Sequence, residues 1–213
     1  MDFSEFKEKI VKIKKMNLPG EQFHLKMAPI ERLLELKKVA RSTKTAKKAA
    51  VLMLFYPSET NETYFVLILR KTYKGVHSAQ VGFPGGKWEQ GDTDYQATAL
   101  RETREEVGVT EKSVQVLKKM TEIYIPPSNF FVQPYLGTTY ELPHFVPEEK
   151  EVEAIIEVPL QEFMDDASKI TKTLSTSYAK EIEVPAFLLK NNVVWGATAM
   201  ILNEVREMLK QLL

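Results

Sequence analysis

The chain has 213 residues, 44% of them hydrophobic, which suffices for one domain with a substantial core, or one domain with an appendage. Twenty-nine basic residues balance 29 acidic ones, so charge argues against a dedicated nucleic-acid or membrane-surface protein. Cysteine is absent, which excludes disulfides, thiolate zinc sites and a cysteine nucleophile and suits a reducing cytoplasm. No apolar run approaches the roughly 20 residues of a membrane span. His24, His77 and His144 are scattered without ligand spacing, so a zinc site is not expected.

Residues 1–48 have helical character and are expected to form an extension to a domain at 49–213. Met1 to Lys15 mixes acids and bases among Phe3, Phe6, Ile10, Val11 and Ile13, which predicts an amphipathic helix and not a signal peptide. Pro29 suits a helix start, with Leu33, Leu34 and Leu36 on an apolar side. Lys37, Lys38, Arg41, Lys44, Lys47 and Lys48 then form a basic run. It reads either as a solvated link or as an anion-binding patch over a site. Ala49 to Tyr56 and Tyr64 to Arg70 are apolar enough for buried strands, separated by a polar turn from Pro57 to Thr63.

The densest chemistry lies from Phe83 to Val109, FPGGKWEQGDTDYQATALRETREEVGV. Gly85 and Gly86 lead into a helix, Asp92 and Thr93 are placed to cap its start, and Gly108 is placed to end it in a left-handed conformation. Glu102, Glu105 and Glu106 stand three and four residues apart, so they project from one side of the helix. Crowded anions repel, which becomes useful when an oxygen-seeking cation such as Mg²⁺ or Mn²⁺ sits among them. The alternative is a solvated acidic face balanced by Arg101 and Arg104.

This segment resembles the Nudix box, GX5EX7REUXEEXGU with U aliphatic. Gly86 matches the opening glycine, Arg101-Glu102 the RE pair, Glu105-Glu106 the EE pair and Gly108-Val109 the close. Asp92 stands in place of the first Glu, one extra residue precedes Arg101, and Thr103 replaces an aliphatic residue. Upstream, Arg70, Val81 and Phe83-Pro84-Gly85-Gly86 fall in register with the signature that Nudix hydrolases of coenzyme A carry before the box, while Lys71 and Ala79 replace its Ser and Gly. Ile125 to Phe130 and Val194 to Ala199 also look like segments of these enzymes. The resemblance implies an α+β fold, specifically the Nudix α/β/α sandwich with a mixed sheet, and hydrolysis of a diphosphate joined to another moiety.

It also implies roles. Glu102 and Glu106 are expected as the principal metal ligands, with Glu105 assisting or pairing with Arg101 and the Gly86 carbonyl completing the shell. Glu102 and Glu151 are the candidate general bases, the latter in an acidic loop from Pro147 to Glu153. Arg70 is expected either to hold substrate phosphate or to form a strand-end salt bridge. His77 and Gln80 are candidate substrate contacts, as are Phe83, with a core role as its alternative, and Asn129, with a turn role as its alternative. Trp195 and Gly196 suggest packing. The implied substrate is coenzyme A or a derivative, against a rival such as ADP-ribose, NADH or a damaged nucleoside triphosphate, or a non-catalytic nucleotide-binding regulator.

Further strand-like runs occur at Ser113 to Leu117, Phe130 to Leu136, Glu153 to Val158 and Glu181 to Leu189, with prolines 126, 127, 143 and 147 marking loops. A last helix after Trp195 carries Ile201, Leu202, Val205, Met208, Leu209 and Leu212 on its apolar side.

Overall fold

The computed structural model describes residues 1–29, 45–72, 80–174 and 181–213. His77, the leucines at 33, 34 and 36, and most of the basic run therefore lie outside the described residues. Strand β1 (Lys47–Pro57) organises the rest. It is apolar from Ala49 to Phe55, as a strand covered on both faces must be. Ala50, Leu52, Leu54 and Tyr56 enter one hydrophobic cluster, while the alternate positions Ala49, Met53 and Phe55 enter the other.

One edge of β1 is taken by β7 (Phe130–Thr138), parallel from Lys47↔Phe130 to Phe55↔Thr138. Two partners share the opposite edge. Strand β2 (Thr63–Arg70) pairs with β1 only at Phe55, Tyr56 and Pro57. The short β4 (Gly85–Lys87) pairs with Ala49, Ala50 and Val51. Since β3 (Val81–Gly82) remains on β2, residues 81–87 form a wedge that crosses between two splayed strands. Gly85 has φ +150°, and a Cβ there would stand 2.4 Å from the Ala50 carbonyl oxygen, so only glycine fits this crossing.

Strand β5 (Gln115–Lys119) and β6 (Ile123–Ile125) add to β7, and β8 (Val152–Pro159) adds to β2, giving an eight-stranded mixed sheet. On the face of the second cluster lies the helix bearing the acidic motif, through Ala99 and Val107. The other face is covered by α5 (Gly196–Leu212) and the N-terminal segment. There α1 (Phe3–Ile10) continues as a 3₁₀ turn, Val11–Lys15, in place of a single helix to Lys15. Phe6 is fully buried, with its ring 5.0 Å from that of Phe55. The short α2 (Glu21–Leu25) is tied to α5 by the buried Glu204, whose carboxylate accepts from Gly20 N at 3.1 Å and Thr121 Oγ1 at 2.5 Å and pairs with His24 Nε2 at 2.9 Å.

Strands β9 (Lys169–Leu174), β10 (Ile182–Leu189) and β11 (Asn192–Trp195) form a separate antiparallel sheet. Residues Lys190 and Asn191 join the last two with φ of 49° and 61°, as a tight hairpin with the right-handed strand twist requires. The sequence reading missed β3, β4, β6, β9 and β11. All are short or lack a run of alternating apolar residues. Among the described residues no helix is long and apolar enough to cross a membrane.

The burial of Phe6 makes the N-terminal segment part of the main core. Phe6→Ala is expected to lower unfolding free energy by about 3–5 kcal/mol, the usual cost of a large cavity. Urea denaturation followed by tryptophan fluorescence would measure it, and an unchanged midpoint would show that the segment packs independently of the sheet.

Candidate active site

The acidic motif lies on α3 (Tyr95–Val107). Its cap is Asp94, which accepts from Ala97 N at 2.8 Å, and not the expected Asp92 or Thr93. Asp92 is instead drawn away by Arg101, accepting from Nε at 2.8 Å and Nη2 at 3.0 Å, and it also accepts from Thr98 Oγ1 at 2.8 Å and Glu89 N at 3.1 Å. The hydrogen bonds from Arg101 dominate in holding its carboxyl down to about 2. A fork donor satisfying a carboxylate in this way fixes its own geometry too. Gly108 closes the helix as expected, with φ 79°. Thr103 faces the core and donates to the Ala99 carbonyl at 2.7 Å, which satisfies its hydroxyl where the family pattern prefers an aliphatic residue.

The three glutamates are held by different partners: Glu102 and Glu105 share Arg101, whereas Glu106 is held by Arg70 and Gly85 N. Glu105 turns outward to Arg101 Nη1 at 2.8 Å and Arg104 Nη2 at 3.1 Å. Glu102 lies 3.0 Å from Arg101 Nη1 and packs so closely over Gly86 that a Cβ there would meet its carboxylate at 2.5 Å. Glu106 is 2% exposed; its Oε2 accepts from Gly85 N at 2.7 Å, and its Oε1 is 3.0 Å from Arg70 Nη1. That contact with Arg70 is close enough for charge attraction, but Oε1 lacks an aligned hydrogen bond.

Burial pushes the Glu106 carboxyl up to about 7, against the pull of Arg70 and Gly85 N and with the help of the negative Glu102 and Glu151. Burial likewise raises that of Glu102, partly offset by Arg101 and reinforced by Glu105 and Glu151. These groups line a cleft of about 480 Å³ together with Arg70, Gly85, Gly86, Lys87, Glu89, Arg101, Glu105, Glu148, Lys150 and Glu151. The acidic loop reaches the cleft because its backbone caps the helix: Val146 N donates to Val107 O and Glu148 N to Glu106 O, both at 3.0 Å. An apolar recess of about 420 Å³ around Met1, Leu160 and Met164 lies elsewhere and gathers no comparable charge.

The remaining sequence candidates divide. Gln80 pairs with Arg70 through its backbone, its carbonyl accepting from Arg70 N at 3.1 Å, and is not among the residues that line the cleft. Phe83 is 3% exposed in the main core and is not among the cleft residues. Asn129 takes a left-handed turn, φ 53°, with its side chain bound by the Tyr124 hydroxyl at 2.9 Å. His77 lies outside the described residues. Lys87, Glu89, Glu148 and Lys150 were not singled out individually, but they lie inside the stretch from Phe83 to Val109 and the acidic loop from Pro147 to Glu153, which was the available signal.

Among the described residues no three acidic or imidazole groups already form a metal cage. The donor set still fits a hard cation: carboxylates and a peptide carbonyl are its preferred ligands, Glu106 keeps one buried oxygen without an aligned donor, and burial, reinforced by neighbouring carboxylates, raises two carboxyls whose charge a cation would compensate. Glu106 titrates near 4.5 when unperturbed and near 7 here, so the folded state binds its proton more tightly. Its contribution to stability is full below the lower value and lost as pH rises through the upper one. In chelator, Glu106→Gln is expected to flatten the fall in stability between about pH 5 and 8. Urea midpoints across that range would test this; an unchanged slope would assign the titration to another group.

Comparisons with known proteins bear on the family and the fold. The NUDIX domain profile matches residues 46–176. Nudix hydrolase 22, chloroplastic, of Arabidopsis thaliana is 32% identical over 162 residues, covering 73% of this chain and 53% of its own length. The chain thus spans about half the length of that plant relative. An uncharacterised Nudix hydrolase, NudL, of Pectobacterium atrosepticum is 31% identical over 181 residues, covering 81% of this chain and 88% of its own. Among solved structures, the Nudix hydrolase RenU of M. smegmatis superimposes with a TM-score of 0.54 at 14% identity, covering 79% of this chain and 88% of the other, which shows the shared fold. With its glycine wedge, its clamped arginine and its acidic helix in the expected frame, the chain belongs to the NUDIX domain family, that of the Nudix hydrolases.

Proposed function

We propose that the protein is a Mg²⁺- or Mn²⁺-dependent hydrolase of the diphosphate in coenzyme A or its derivatives, acting in the cytoplasm. The products would be 3′-phosphoadenosine 5′-phosphate and 4′-phosphopantetheine or its acylated form. The observation that carries the chemistry is the gathering of Glu102, Glu106 and Glu151 at one cleft, where burial, reinforced by the neighbouring carboxylates, raises two of the carboxyls. Support for the substrate comes from the residues before the box, where Arg70, Val81 and Phe83 to Gly86 keep the register of the coenzyme A signature.

Glu102, Glu106 and the Gly86 carbonyl would hold the cation, with Glu105 in support. When bound, it neutralises phosphate oxygens and lowers the pKa of water. Arg101, fixed by Asp92, keeps Glu102 and Glu105 in place. Glu151 lies at the exposed rim and is the better-placed base, because Glu102 is engaged by Arg101 at 3.0 Å. Its carboxylate takes a proton from water as the water oxygen bonds to phosphorus and the bridging P–O bond breaks. Arg70, Lys87 and Lys150 supply positive charge along the cleft for the phosphates, and Gln80 and His77 remain candidate substrate contacts. Phe83 anchors the turn from the core, and Asn129 shapes a loop.

Incubation with Mg²⁺ or Mn²⁺ and coenzyme A, ADP-ribose, NADH or nucleoside triphosphates, with products identified by mass, tests this reading. Coenzyme A is expected to give 3′-phosphoadenosine 5′-phosphate most efficiently. A clear preference for ADP-ribose would overturn the substrate and leave the hydrolase. Ligand-stabilised melting without turnover would favour a binding protein instead. Glu106→Gln should lose on the order of a hundredfold or more in kcat, several kcal/mol of transition-state stabilisation, while circular dichroism stays unchanged.

A further inference from the structure

Arg70 stands at a place the sheet had to be deformed to create. The pairing of β2 with β8 shifts register between Leu69 and Arg70, and such a bulge re-aims the side chain that follows. The guanidinium is thereby directed at two oxygens together: Nη2 donates to the Gly85 carbonyl at 2.7 Å, and Nη1 lies 3.0 Å from Glu106 Oε1. A carboxylate oxygen and a peptide carbonyl are the donor pair that a hard divalent cation takes. The two ends of this contact differ in freedom. Glu106 is buried and fixed by Gly85 N at 2.7 Å, whereas the Arg70 side chain retains 24% exposure beside an open cleft.

We infer that Arg70 is an exchangeable counter-ion, which holds Glu106 in the metal-free protein and yields that carboxylate when a divalent cation enters. This rests on the reading of Glu106 as a cation ligand. A cation bound at Oε1 would sit against the guanidinium, and like charges at contact distance in a partly buried cleft repel strongly. The released guanidinium remains in the same cleft, where among the described residues Arg101 is committed to Asp92, and is a fork donor suited to a substrate phosphate. Metal entry would thus arm the substrate contact.

Mn²⁺ binding to the substrate-free protein, measured by electron paramagnetic resonance, separates this role from a structural one. Arg70→Gln is expected to bind Mn²⁺ on the order of tenfold more tightly than the unaltered protein, because the competing charge is gone. A residue that merely braces the site would bind it more weakly on removal. Equal or weaker binding in a folded variant would overturn the proposal while leaving the metal site standing. Absence of Mn²⁺ binding in both proteins would remove the metal reading, and the proposal with it. Should the variant fail to fold, the guanidinium resonances of Arg70 in the unaltered protein decide: they should shift and rotate faster on saturation with Mg²⁺, and unchanged resonances would refute the exchange.

Discussion

The constraint on which the site depends is a carboxylate buried where helix meets sheet. Glu106 belongs to α3, yet both of its oxygens answer to the sheet, one to Gly85 N and one to Arg70. Burying an ionised carboxyl without such partners would be costly enough to shift it to the neutral form. Here the compensation is incomplete, and the group is left with a raised affinity for protons. A carboxylate poised in this way at a cleft is the natural seat for a cation, which is why the proposed chemistry is built around it.

Geometry upstream of that contact follows from how β1 shares its partners. Because β7 fills one edge of β1 from Lys47 to Phe55, β2 and β4 must divide the other. The crossing of residues 81–87 between them places Gly85 in the sheet, facing α3, and the bulge at Leu69/Arg70 turns the arginine toward the same point. Behind Glu106, Asp92 and Arg101 form a second fixed pair, so the helix, the 87–92 loop and the wedge are locked together through charge-assisted hydrogen bonds. The acidic loop is held to the same helix by its last carbonyls. Helix, wedge and sheet thereby fix Glu102 and Glu106, the carboxylates at the centre of the cleft, which is the condition for precise catalytic geometry.

The opposite face of the sheet is devoted to stability. Aromatic side chains from the N-terminal segment, β1, β2, the short α4 (Leu160–Met164) and β10 meet there, from Phe6 against Phe55 to Phe163 against Phe187. Glu204, fully buried on α5, shows how a charge is accommodated in that layer. Burial favours its neutral form, but hydrogen bonds from His24, Thr121 and Gly20 outweigh this and lower its pKa. Two buried glutamates thus differ in fate because one is given enough donors and the other is not.

Much of this was legible in the sequence. The apolar runs of β1 and β2, the helix ending at Gly108 and the amphipathic last helix were read from periodicity and cap residues, since those signals are local. The acidic spacing and the glycine pair likewise pointed to the right segment, because neighbouring turns of one helix decide which residues share a face. What sequence alone did not decide was the partner of each charge. Asp92 was read as a cap but holds Arg101, Arg70 was left between two roles, and Phe83 proved to be core. Short strands such as β3 and β4 carry too few residues for a periodic signal. Spacing along the chain determines which side chains stand together on an element, but only tertiary packing brings a strand end, a wedge and a helix close enough for their charges to choose one another.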